Sequence, residues 1–170
     1  MTAISIDTLR KNIQPPMKDA RKDEDLWKFF DITNCYSYAL GLLFDFRFLQ
    51  PGEISKMELQ NQYSDAELIE RVKSDITVLG MKMRESTLEE VVVDEKSWKI
   101  AILNAKTDSA PGRYDYHFLK QHPSKKWYHK IPYDQFPIYY DANYRPIVDP
   151  ETATYSFNYH LVGYFVVTKV

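Results

Sequence analysis

The sequence predicts an α+β fold in which N-terminal helices pack on one mostly antiparallel β-sheet. Helical patterns are confined to the first half of the chain and strand-like runs fill the second. Too few helical stretches separate those runs to build parallel βαβ units. At 170 residues, 44% hydrophobic and 15% aromatic, the chain is long enough to close one core and short for two, so a single domain with one active site is expected.

Residues 1–25 are polar, carry Pro15 and Pro16 and show no regular apolar period, which predicts an arm lying on or off the domain and leaves 26–170 as the single domain. From Thr33 the run NCYSYALGLLFDFRFLQ places apolar residues on nearly every side of a helix that Pro51-Gly52 would stop. A buried helix follows, with Tyr38, Ala39, Leu42, Leu43, Phe46 and Leu49 inside and only its N-terminus meeting solvent. Ser64-Asp65-Ala66-Glu67 is a capping box ahead of Leu68, Ile69, Val72 and Ile76, predicting a second, amphipathic helix that ends near Gly80. The expected strands are Glu90 to Val93, Trp98 to Leu103, Tyr114 to Lys120, Lys126 to Ile131, Tyr139 to Tyr140 and Leu161 to Thr168.

Charge narrows the function classes. Twenty-two basic and 24 acidic residues are mixed along the chain, giving a formal net charge of -2 and no electrostatic footprint for nucleic acid or anionic lipid. No apolar run approaches the roughly 20 residues that span a bilayer, and the N-terminal stretch lacks the basic-then-apolar order of a leader, so the chain reads as cytoplasmic, with export as an effector left open. A single cysteine cannot form an internal disulfide.

That cysteine, Cys35, sits just inside the predicted start of the first helix, where Thr33 or Asn34 can cap and free backbone N–H groups point outward. Those groups and the helix dipole favour a thiolate, and the same N–H groups can hold an oxyanion. An arbitrary lone cysteine is more often a small buried hydrophobe, so the histidines decide the matter. His117 in YDYHFLKQ and His129 in KWYHKIP lie on two strand-like runs that read as a hairpin. A turn centred on Pro123 pairs Gln121 with Lys125, Leu119 with Trp127 and His117 with His129, and a two-residue slip still keeps both imidazoles on one face. One imidazole can then act as base and the second orient it.

Competing readings stay beside this one. The two histidines could be surface strand residues, and Cys35 with both histidines and Asp141 could bind zinc, although the local spacings of common zinc motifs are missing. Asp141 could orient a histidine in place of His129, but Asp before Ala-Asn is equally good turn chemistry. Asn34 could donate to an oxyanion, though capping alone explains it. The many tyrosines could line a groove around Cys35 or simply pack on the sheet. No cofactor is called for.

Asn34-Cys35-Tyr36-Ser37-Tyr38-Ala39-Leu40-Gly41, then Asp115-Tyr116-His117-Phe118, Trp127-Tyr128-His129-Lys130 and Ile147-Val148-Asp149-Pro150, resembles NlpC-type peptidases and amidases of the papain-like superfamily, over roughly residues 30 to 170, and in particular an uncharacterised bacterial and phage branch. The resemblance implies a papain-like core with a Cys-His-His site built from one helix and two adjacent strands. It implies cleavage of an amide bond in a peptide or amide-containing substrate through a thioester at Cys35, with His117 as base and His129 as orienter. Acyl transfer and deamidation stay open. The alternative is an inactive binding or effector protein on the same fold that grips a protein partner with a tyrosine-rich face.

Overall fold

The computed structural model describes residues 4–44, 48–106, 114–131 and 136–170. Helices α1 (Ile6–Lys11), α2 (Ala20–Trp27), α3 (Cys35–Ala39) and α4 (Asp65–Val78) precede strands β1 (Met81–Ser86), β2 (Ser97–Ala105), β3 (Tyr116–Gln121), β4 (Trp127–Tyr128) and β5 (Tyr159–Lys169). The strands form one antiparallel sheet in the order β1-β5-β2-β3-β4. The expected α+β class and antiparallel sheet are therefore observed. Among the described residues no helix is long and apolar enough to cross a membrane.

Strand β2 lies inside the sheet and is covered on both faces, so its apolar run is continuous instead of alternating. Ile100 and Ile102 join Tyr36, Leu40, Leu68, Val72 and Phe118 on the helix side, while Ala101 and Leu103 meet Leu119, Trp127 and Ile147 on the other. Ser64 caps α4 as expected: its hydroxyl accepts from the Glu67 backbone N–H at 3.2 Å, and α4 stops before Gly80, whose φ is +74°.

Several expectations are corrected. Among the described residues, the long helix expected from Thr33 is only the five residues of α3. Gly41 ends it at φ +70°, where a side-chain Cβ would lie 2.5 Å from the Gln14 carbonyl oxygen. The segment's apolarity reported burial rather than helicity: Tyr38, Ala39, Leu42 and Leu49 are all buried, and Phe46 lies outside the described residues. The N-terminal arm, expected to lie on or off the domain, lies on it between Ile4 and Asp25. Ser5 and Asp19 cap α1 and α2, and Leu9 and Ile13 enter the main core. Glu90 to Val93 is not a strand, because the buried Lys99 ammonium gathers the carbonyls of Thr87, Leu88 and Glu90 and turns that segment around itself. Tyr139 and Tyr140 form only an isolated bridge, from Tyr140 to Pro146. Strand β1 escaped notice because it is an edge: Met81 and Met83 pack while Lys82, Arg84 and Glu85 make it look like surface.

Lys120, on β3, is 1% exposed and its ammonium has no hydrogen-bond partner among the described residues. It rests 3.9 Å from the Tyr38 ring centre and 4.8 Å from that of Trp27. Burial pushes it down to about 8 against an ordinary 10.5, with Asp23 pulling the other way. Between those values the unfolded chain holds more protons, so unfolding free energy rises with pH there, and the burial cost is fully present below pH 8. The ring faces return ~0.5–2 kcal/mol each. Lys120→Met is expected to raise stability at neutral pH by about 1–2 kcal/mol in urea melts, with the gain shrinking toward pH 10. A variant no more stable than the parent would refute a net cost at this position.

Candidate active site

Three anchors hold α3. The Asn34 amide oxygen accepts from the Ser37 N–H at 3.0 Å, and its nitrogen donates to the Leu49 carbonyl at 2.7 Å. The buried Lys130 ammonium donates to the carbonyls of Asp31 and Thr33 at 2.8 and 3.0 Å. The Tyr36 hydroxyl donates to Asp75 at 2.6 Å, and that carboxylate also accepts from Gly52 and Ser55. Cys35 is thereby fixed at the first turn, 9% exposed, on the wall of a cavity of about 770 Å³ that His117 and His129 also line.

The β3–β4 register is two residues from the expected one, pairing Lys120 with Tyr128 and Gln121 with Trp127. Lys125 supplies the left-handed position (φ 72°) that glycine usually takes, and the His122 N–H closes the loop on the Lys126 carbonyl at 2.9 Å. His117 and His129 are therefore not directly opposite. A shift of two preserves the face, and His117 Nε2 lies 2.7 Å from His129 Nδ1. His129 is held by paired backbone hydrogen bonds with Ile138, and its Nε2 lies 2.9 Å from the Tyr140 carbonyl oxygen.

That carbonyl fixes the protons. A carbonyl only accepts, so His129 carries its hydrogen on Nε2 and, in the neutral pair, offers a bare Nδ1 to the Nε2–H of His117. His117 is left with its lone pair on Nδ1. The His117 ring is stacked on Tyr159 (18° between planes) and edge-on to Tyr155, both with centres 5.8 Å away. Burial in this packing, and then the neighbouring His129, push His117 down to about 3.

Burial also pushes the Cys35 thiol up to about 12; the backbone N–H of Phe118 pulls it back, the Asp115 charge raises it further, and the N–H groups of Tyr36 and Cys35 lower it. Neither imidazole is among those influences. The expected resting thiolate is thus corrected to a neutral thiol, since a five-residue helix sums too few peptide dipoles to outweigh desolvation.

The structure brings Cys35, His117, His129, Asn34 and Asp141 to one cavity. It does not bring the Asp141 carboxylate to an imidazole: Asp141 accepts from the N–H groups of Asn143, Arg145 and Thr154 and holds a turn, with those donors keeping its carboxyl below its usual range. Asn34 caps α3. The Tyr140 carbonyl and the roles of Lys130 and Asp115 were not foreseen from the sequence. His122 and His160 have partners elsewhere, the Met17 carbonyl and Asp65. Among the described residues no group of three or more His, Cys, Asp or Glu side chains is placed to hold a metal ion. No family model matches the chain, and neither a curated protein nor a solved structure matches it.

Proposed function

We propose that the protein is a papain-like, NlpC-type cysteine hydrolase that cleaves an amide bond through a thioester at Cys35. The observation that carries this reading is the directed chain from the Tyr140 carbonyl through His129 to His117, which leaves the lone pair on Nδ1 of His117, a residue that lines the same cavity as Cys35. A ring held so that one specified nitrogen is the acceptor is what a general base requires. The thiol gives its proton to His117 Nδ1 as sulfur attacks the substrate carbonyl carbon, and the Cys35 N–H donates to the oxygen that becomes negative. The tetrahedral species expels the amine, which takes the proton from His117, and water then hydrolyses the thioester with His117 again as base. Because thiol and imidazole both rest neutral, the charges form together during attack and not beforehand.

Two measurements test this. Treatment with p-nitrophenyl acetate is expected to place one acetyl group on Cys35, seen by intact-protein mass spectrometry and absent in Cys35→Ala; equal labelling of the variant removes the proposal. Iodoacetamide alkylation of the substrate-free protein should be slow at neutral pH and climb toward pH 12. A rate plateau below pH 8 would show a preformed ion pair in place of the neutral resting site.

The burial that suppresses the thiolate favours a second reading, a binding protein whose tyrosine-lined cavity performs no chemistry. Cys35→Ala separates the two, since ligand binding alone would survive it.

A further inference from the structure

Resting on the reading of this cavity as a substrate site, we propose that Asp115 makes one end of it a subsite for an ammonium group, so that the amide cleaved carries a positive charge beside an apolar group. Three observations support it. First, the charged side chains among the described lining residues are Asp115, Asp141 and Lys130, and Asp115 is the least committed of them. Lys130 is committed to the Asp31 and Thr33 carbonyls, and Asp141 to three backbone N–H groups. Among the described residues Asp115 accepts from the Tyr116 N–H at 2.9 Å and the Tyr159 hydroxyl at 2.5 Å. A carboxylate offers about four acceptor positions, so it retains capacity for a further donor.

Second, the surroundings of Asp115 suit a cation. Tyr114, Tyr116 and Tyr159 line the same cavity, and tyrosine ring faces attract cations. Ring centres of Tyr63, Tyr114 and Tyr116 are mutually 6.2–6.4 Å apart, which makes a continuous aromatic wall. Third, large apolar side chains at the cavity, Ile131 at 45% and Tyr140 at 38% exposed, are uncovered and available to an apolar part of the ligand. A cavity of about 770 Å³ accommodates both groups of a small ligand together.

The subsite is tested on the Cys35→Ala protein, which cannot acylate, by calorimetric titration with phenethylammonium chloride, its neutral isostere 2-phenylethanol and the anionic 3-phenylpropionate. The ammonium probe is expected to bind about tenfold more tightly than the alcohol, with the carboxylate weakest. Adding Asp115→Asn, a change at an exposed position that preserves shape, should bring all three within about threefold. Tyr159→Phe removes the hydroxyl that occupies the carboxylate and should keep or increase the ammonium preference. An ammonium probe no tighter than the alcohol, or a preference that survives Asp115→Asn in a protein still folded by circular dichroism, would overturn the proposal. Failure of the hydrolase reading is separate: it appears as absent acetylation of Cys35 and leaves the ammonium preference untouched.

Discussion

His117→Ala is expected to slow acylation of Cys35 by about 10²–10⁴-fold, because both removal of the thiol proton and delivery of a proton to the leaving amine pass through this ring. His129→Asn should cost far less, about tenfold, since an Asn amide can still accept from the His117 Nε2–H and donate to the Tyr140 carbonyl. The pH profile carries the same logic. The active form of a base is the unprotonated one, present above its pKa, and burial pushes His117 down to about 3. Acylation should therefore stay insensitive to His117 protonation from neutral pH down to about 4 and fall only below that. Stopped-flow acylation rates of the three proteins across pH check both claims. Full activity in His117→Ala would exclude it as the base, and an acid limb near 6.5, the ordinary imidazole value, would mean that His117 is more hydrated than its packing implies.

Asp75→Ala is expected to be the most damaging single change to stability. Its carboxylate accepts from the Tyr36 hydroxyl, the Gly52 N–H and both the N–H and hydroxyl of Ser55, at 2.6–2.8 Å, in a site closed to solvent. Burial raises its carboxyl despite these donors, so the carboxylate itself is costly; the larger cost of truncation is four donors left without an acceptor. A loss of about 3–5 kcal/mol is expected, lowering Tm by about 10 °C. Since Tyr36 adjoins Cys35, any residual folded population should also acylate more slowly. Urea melts and calorimetry decide it, and a loss below about 1 kcal/mol would show that water replaces the carboxylate.

Legibility followed the physics of each element. Helix α4 was plain because a cap, an apolar stripe and a terminal glycine all agreed. The segment after Thr33 was misjudged because complete burial erases periodicity, leaving helix and irregular chain alike in composition. The common face of the two histidines was readable because strand geometry has period two, whereas the register depended on Lys125 adopting a left-handed conformation that its identity does not announce. The resting state of Cys35 was not readable: helix-start chemistry is local, while its desolvation comes from burial beside β3, which is distant in sequence. The Tyr140 carbonyl left no signature, because every residue has one.

The order of the sheet sets a timetable for the nascent chain. Strand β5, the latest of the described strands to be synthesised, lies between β1 and β2, with Met81 paired to Lys169 and Ser97 to Thr168. Until that segment leaves the ribosome, β1 has no neighbour and β2 exposes one edge of unpaired amides, an invitation to mispairing that a chaperone would have to cover. Folding is expected to wait for β5 and to be slow, governed by closure of the long loop from β1 to β5, and ribosome-stalled chains ending before Tyr159 should remain protease-sensitive.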